Sequence, residues 1–183
     1  MEVVSEDGYI TTVFHITGDA EGTQAQNQKG SVLIMHDTFM DATHWFNQKD
    51  GPAEFDKPMP LQVFEAGYDV WVGNMRGTQY SRKHKNLSAT ESPYWNFTFA
   101  EKGLFDIPAT VKKIKEITGV NQVAYVGLGQ GSTMLFYALA KAEEPFFSEN
   151  ISRFIAVAPC FITPQTNSWL NALHIQVSAY SNK

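Results

Sequence analysis

The sequence predicts an α/β fold with a mostly parallel sheet led by an antiparallel hairpin. Short strand-like runs recur at 31–36, 68–72, 122–126 and 154–158, the first continuously apolar through 32–35 in the manner of a strand buried in a parallel sheet. Segments with helical spacing fall between them, which is the alternation that builds parallel pairing. At the start, Val3-Val4, the turn residues Glu6-Asp7-Gly8 and the run Tyr9 to Ile16 read as a hairpin.

The elements follow in order. Gly18 to Gly30, rich in Gln, Asn, Gly and Asp, reads as a solvated loop. Ser31-Val32-Leu33-Ile34-Met35-His36 is a buried strand, and Pro58 to Ala66 a short helix closed by Gly67. Tyr68-Asp69-Val70-Trp71-Val72 is the next strand, ending at Gly73-Asn74. Asp106 is the predicted N-cap of a helix that tolerates Pro108 in its first turn. Ile107, Val111, Ile114 and Ile117 keep helical spacing until Gly119 stops the run. Strand 122–126, a glycine turn and helix 132–142 come next, and Phe154 to Ala158 is a last buried strand before Pro159. Arg82-Lys83-His84-Lys85 is expected to be a solvated loop.

At 183 residues and 43% hydrophobic content the chain can bury one sizeable core. A net charge of −5 has the wrong sign for a nucleic-acid partner. The longest apolar run, 154–162, is far shorter than the ~18 residues a membrane span needs, so no span is expected. Cys160 is the only cysteine, which excludes an internal disulfide and leaves a thiol expected to be buried and inert. With no signal-peptide pattern at the start, these features lean towards an intracellular location. Sequons at Asn86, Asn96 and Asn150 pull the other way.

Gly127-Leu128-Gly129-Gln130-Gly131 joins a β-type run to an apolar helical run. That is the setting of the nucleophile elbow G-x-S-x-G, whose serine stands exposed above an α/β-hydrolase sheet. Here the serine position is Gly129, which has no side chain. Ser132, three positions on, is expected to be a helix-start hydroxyl bonded to backbone. His36, Asp37, Asp41 and His44 match no metal-ligand spacing, so neither a metal nor another cofactor is expected. Residues 127–132 also approach the dinucleotide fingerprint G-x-G-x-x-G, which makes a nucleotide-binding module an alternative. That fingerprint needs a third glycine where Ser132 stands and an acid at the end of the next strand, which instead reads Ala158-Pro159-Cys160.

Several blocks in one order carry a more specific signal. They are Glu6-Asp7-Gly8-Tyr9-Ile10, Ala66-Gly67-Tyr68-Asp69-Val70-Trp71, Gly73-Asn74-Met75-Arg76-Gly77 and Tyr80-Ser81-Arg82-Lys83-His84. Tyr94-Trp95-Asn96-Phe97, Asp106-Ile107-Pro108-Ala109 and Ala158-Pro159 continue the set. Together, from Glu2 to about Phe161, they resemble the acid lipases, the gastric and lysosomal group of α/β-hydrolases. The resemblance implies an eight-stranded hydrolase sheet, here truncated, and an ancestor that cleaved fatty-acid esters. It divides the chain into 1–162, the N-terminal part of a lipase-like domain, and 163–183, a tail that is a remnant of the lid region.

The departures fall on the positions that matter for chemistry. The family reads G-H-S-Q-G at the elbow, where this chain has Leu128 and Gly129. The family's H-G-L, whose last backbone N–H completes the oxyanion hole, becomes His36-Asp37-Thr38. The aspartate and histidine of such triads come after the seventh and eighth strands, and the chain ends about where the lid insertion would begin. The expectation is therefore a vestigial elbow (Gly127, Leu128, Gln130 and Gly131 around Gly129), a vestigial oxyanion region (His36, Asp37, Thr38) and no catalytic residue.

The functional expectation is a catalytically inactive lipase-like domain acting as a structural or interaction subunit of a larger protein assembly. The alternatives are an active or residual lipid-ester hydrolase and the nucleotide-binding module. Without the seventh and eighth strands, Phe154 to Ala158 would present a bare apolar edge, which invites another protein chain. Trp169, Leu170 and Leu173 of the tail would cover part of it.

Overall fold

Each apolar run expected to be a strand joins one seven-stranded sheet in the computed structural model, which describes residues 1–18, 29–47, 57–142 and 145–160. β1 (Glu2–Val4) and β2 (Tyr9–Ile16) form the leading antiparallel pair. β2 also lies antiparallel to β4 (Asp69–Gly73). β4, β3 (Ser31–Met35), β6 (Val123–Leu128) and β7 (Ile151–Val157) then run parallel, giving the order β1-β2-β4-β3-β6-β7. The parallel centre is buried on both faces because alternate side chains point to opposite sides. Leu33, Met35, Trp71 and Tyr125 pack under α3 (Ile107–Thr118) and α4 (Gln130–Lys141). Val32, Ile34, Val70 and Val72 face Phe64 of α1 (Met59–Glu65) and Trp45 of a 3-10 turn at Ala42–Phe46.

The far edge is different. Phe154 of β7 turns inward, 5.7 Å from the ring of Tyr125 and 4.6 Å from that of Phe136. Ile155 and Val157 point to the other face and are 53% and 40% exposed. Among the described residues β7 has a sheet neighbour on one side alone. The run expected to be buried is thus half-covered.

Four expectations are corrected. Asp106 is not an N-cap, because the helix begins earlier. Thr98 caps it through a capping box with Glu101, whose carboxylate accepts from the Thr98 N–H at 2.7 Å. The helical path then runs through α2 (Phe99–Glu101) and a π-turn (Lys102–Asp106) into α3. Ile117 is 44% exposed, since ten residues after Ile107 places it about 80° off the buried stripe. Lys83 and His84 form β5, a two-residue strand paired antiparallel to Ile10 and Tyr9, rather than loop. Cys160 is exposed, because the strand ends at Val157 and the thiol lies past Pro159, outside the packed layers. Most of the 18–30 loop and all of 163–183 lie outside the described residues.

What Asp106 does is tie the fold together. The buried guanidinium of Arg76 donates Nε to Asp106 Oδ2 at 2.9 Å and a second N–H to Oδ1 at 2.5 Å. Its remaining donors reach Asp7 Oδ2 at 2.6 Å and Oδ1 at 2.9 Å, and its face lies 3.9 Å from the Tyr9 ring centre. Burial alone would lower its pKa; the hydrogen bonds it donates to Asp106 and Asp7 outweigh that and hold the guanidinium above its ordinary value. The hairpin turn, the end of β4 and the helical stretch are thereby locked to one cation.

Candidate active site

β6 ends at Leu128, Gly129 makes the turn with φ 51° and ψ −114°, and α4 starts at Gln130. A residue with a Cβ is strained at such a φ. The flanking glycines set the turn by close approach. A Cβ on Gly127 would lie 2.6 Å from the Ser132 nitrogen, and one on Gly131 would lie 2.8 Å from the Met35 and His36 carbonyl oxygens. The start of α4 is therefore pressed against β6 and the end of β3. The Gly129 N–H donates across to the Val157 carbonyl at 3.0 Å.

Asp37 fills the space in front of this turn. Its Oδ1 accepts from the Gln130 N–H at 2.6 Å and from the Thr38 N–H at 2.7 Å. In a hydrolase elbow, the N–H after the nucleophile and one from the loop after the third strand point at the developing oxyanion. Here the Gln130 and Thr38 N–H groups converge on a carboxylate of the same chain. An ideal Cβ on Gly129 would lie 2.1 Å from Asp37 Cγ, so the carboxylate also occupies the place of a side chain at 129.

His36 is buried with both ring nitrogens engaged. Nδ1 donates to the Asp37 carbonyl at 2.7 Å, and Nε2 accepts from the Met75 N–H at 3.0 Å. Those partners fix the neutral tautomer, and burial pulls its pKa below the ordinary histidine value. Asp41 caps the 3-10 turn by accepting from the Thr43 N–H at 2.8 Å, and His44 is exposed on that turn. Among the described residues, no group of three or more His, Cys, Asp or Glu is placed to hold a metal ion. Ser132 is fully buried, its hydroxyl donating to the Gly127 carbonyl. Asp37 also puts negative charge at the N-terminus of α4, where the phosphate of a nucleotide would have to sit.

Lys102 is the residue that sequence reasoning missed. Its Nζ reaches Gln130 Oε1 at 2.9 Å, directly behind the turn. The readable signal was Thr98-x-x-Glu101, which puts the helix start early enough to carry position 102 on the helical path. A cleft of about 520 Å³ lies elsewhere, lined by Leu104, Phe105, Pro108, Lys112 and Phe146 among others, and includes none of the turn residues. No helix among the described residues is long and apolar enough to cross a membrane.

A strand–glycine–helix turn at the end of a central parallel strand defines a class. The chain belongs to the α/β-hydrolase fold family, whose profile, described as alpha/beta hydrolase fold, matches residues 33–180. Within that class it is acid-lipase-like. It is 34% identical over 172 residues to the gastric triacylglycerol lipase of Homo sapiens, covering 94% of this chain and 42% of that one. It is likewise 34% identical over 157 residues to the lysosomal acid lipase/cholesteryl ester hydrolase of Macaca fascicularis, covering 86% of this chain and 38% of that one. The chain thus spans about two fifths of the length of these curated relatives. A thermophilic esterase from Thermogutta terrifontis shares the fold, with a TM-score of 0.59 at 12% identity over 97% of this chain and 53% of that one.

Proposed function

We propose that this chain is a catalytically inactive lipase-like domain that serves as a structural or interaction subunit in a protein assembly. The observation that carries the reading is Asp37. Its carboxylate takes the two backbone donors that would stabilise an oxyanion and fills the space of the side chain that Gly129 lacks. A site with no nucleophile at the elbow and its anion donors engaged has no means of starting acyl transfer. The expected partner is another protein chain along β7, where Ile155 and Val157 are exposed at the sheet edge. Nothing in the charge balance favours nucleic acid.

Hydrolysis of p-nitrophenyl butyrate by the purified protein tests the first half. No turnover above a heat-denatured control is expected, and turnover lost on a single substitution in this chain would overturn the reading. Co-purification with and without Ile155→Lys tests the second half. A partner that is lost with the substitution supports it; a homogeneous monomer whose β7 amides exchange slowly speaks against it.

A second reading, an ester hydrolase, is favoured by the 34% identity to the gastric triacylglycerol lipase and by the turn conformation retained at Gly129. It requires Asp37 to swing aside and a nucleophile from elsewhere. The same assay separates the two.

A further inference from the structure

The acceptor pattern for N-linked glycans, N-x-S/T, occurs at Asn86, Asn96 and Asn150, and the structure separates the three. Asn86 follows β5 in an exposed loop whose backbone is pinned, the Asn86 and Leu87 N–H groups donating to His84 Nδ1 at 2.9 and 3.0 Å. Asn96 follows a 3-10 turn at Ser92–Trp95, and Trp95 Nε1 donates to the Ala89 carbonyl at 2.9 Å, which ties the two loops into one patch. Both asparagines are exposed and lie outside helix and strand. Neither side-chain amide has a hydrogen-bond partner among the described residues. Asn150 is the opposite case. It is half-buried at the end of α5 (Phe146–Asn150), its Oδ1 accepts from Lys115 Nζ, and its Nδ2 donates to the Phe146 carbonyl at 2.8 Å. The third residue of its triplet, Ser152, already belongs to β7.

We infer that Asn86 and Asn96 carry N-linked glycans and that Asn150 does not. A glycan is bulky and must project into solvent, so a folded chain keeps one only where the amide is free to turn outward. A sugar on Asn150 Nδ2 would have to lift that side chain off both Phe146 and Lys115. In the transfer, Nδ2 bonds to the anomeric carbon of a lipid-diphosphate-linked oligosaccharide and the bond from that carbon to the phosphate oxygen breaks. The lipid diphosphate leaves with the electron pair, and Nδ2 gives up one proton to a base. That donor belongs to the secretory lumen, so the assignment puts the chain there, against the location its composition leans towards. The sheet order gives the pattern a direction. β5 pairs with β2, and Phe97, next to Asn96, lies 5.4 Å from the ring of Tyr9 in β2. From β2 to β7 there are four strand spacings of about 4.8 Å, roughly 19 Å in all. Glycans at Asn86 and Asn96 therefore clothe the hairpin end and leave β7 bare, whereas one at Asn150 would stand on that edge.

The test is peptide mass spectrometry on protein from its natural source, digested in heavy-oxygen water with and without peptide N-glycosidase. The enzyme converts a glycosylated asparagine to aspartate and leaves a heavy oxygen on it. The label should appear at positions 86 and 96 in the treated sample alone, and position 150 should remain asparagine. On a gel, Asn86→Gln and Asn96→Gln should each lose the mass of a glycan, and the double variant should run with the deglycosylated protein. Ser152→Ala breaks the third triplet while keeping the Asn150 hydrogen bonds, and it should change nothing. Absence of the label from Asn86 or from Asn96, a label at Asn150, or a mass step lost with Ser152→Ala would each overturn the assignment. The unsubstituted protein gives its answer even where a variant fails to fold. None of these readouts depends on whether the protein turns over esters.

Discussion

Asp106 and Asp37 are both carboxylates gripped by converging N–H donors, yet the grips differ in kind. Asp106 is buried against a guanidinium whose other carboxylate partner among the described residues is Asp7. Removing one member leaves a charge stranded in the interior. Asp37 is partly exposed and draws on the backbone N–H groups of Thr38 and of Gln130 at the turn, which water can satisfy when it leaves. The first is part of what keeps the chain folded. The second alters what the turn can do at little structural cost.

The comparison can be broken at several points. Arg76→Ala should cost the most, about 3–5 kcal/mol, because Asp106 stays buried without its partner. Urea denaturation measures it, and a loss below about 1 kcal/mol would put Asp106 and Asp37 in the same category. Gly129→Ser comes next. The new Cβ meets both a positive φ and the Asp37 carboxylate, for a loss of about 1–3 kcal/mol. In an Asp37→Ala background the cost should shrink towards 1 kcal/mol or so, the backbone strain alone. A double-mutant cycle that returned zero coupling would remove Asp37 from the elbow.

Asp37→Ala by itself should cost only about 1 kcal/mol, within the net range of ordinary hydrogen bonds, and should not create ester turnover. The mildest effect concerns pH. The folded pKa of His36 lies below 6.5, so the unfolded chain binds more protons as the solution is acidified through that value. The stability contributed by neutral His36 is full above about 6.5 and declines below it, until the depressed folded pKa is reached. Denaturation midpoints across that window should show the slope, and His36→Gln should flatten it.

The parallel sheet and its hairpin were legible because a strand buried on both faces must be largely apolar, as 32–35 and 70–72 are. The missing side chain at Gly129 could also be read directly. That Asp37 would accept from the Gln130 N–H could not, since the bond joins residues 93 apart in sequence. The sequence registered a lost glycine, whereas in the structure the Asp37 carboxylate accepts from the Thr38 and Gln130 N–H groups. Arg76 is similar: residues 7, 76 and 106 meet through folding, and Asp106 looked like a cap because Asp followed by an apolar residue and proline is a common helix opening. Thr98-x-x-Glu101 was the better start signal and was readable. The exposure of Ile155 and Val157 was not, because an apolar run looks the same whether its outer face is covered or bare.

One hydrogen bond gives the two ends of the proposed function a common reporter. The amide proton of Gly129 rests on the carbonyl of Val157, so the turn and the edge strand share a single exchangeable atom. Whatever presses β7 into the sheet slows the exchange of that proton, and whatever peels β7 away releases it. The occupancy of an outer surface is thereby written into the isotope content of one buried turn.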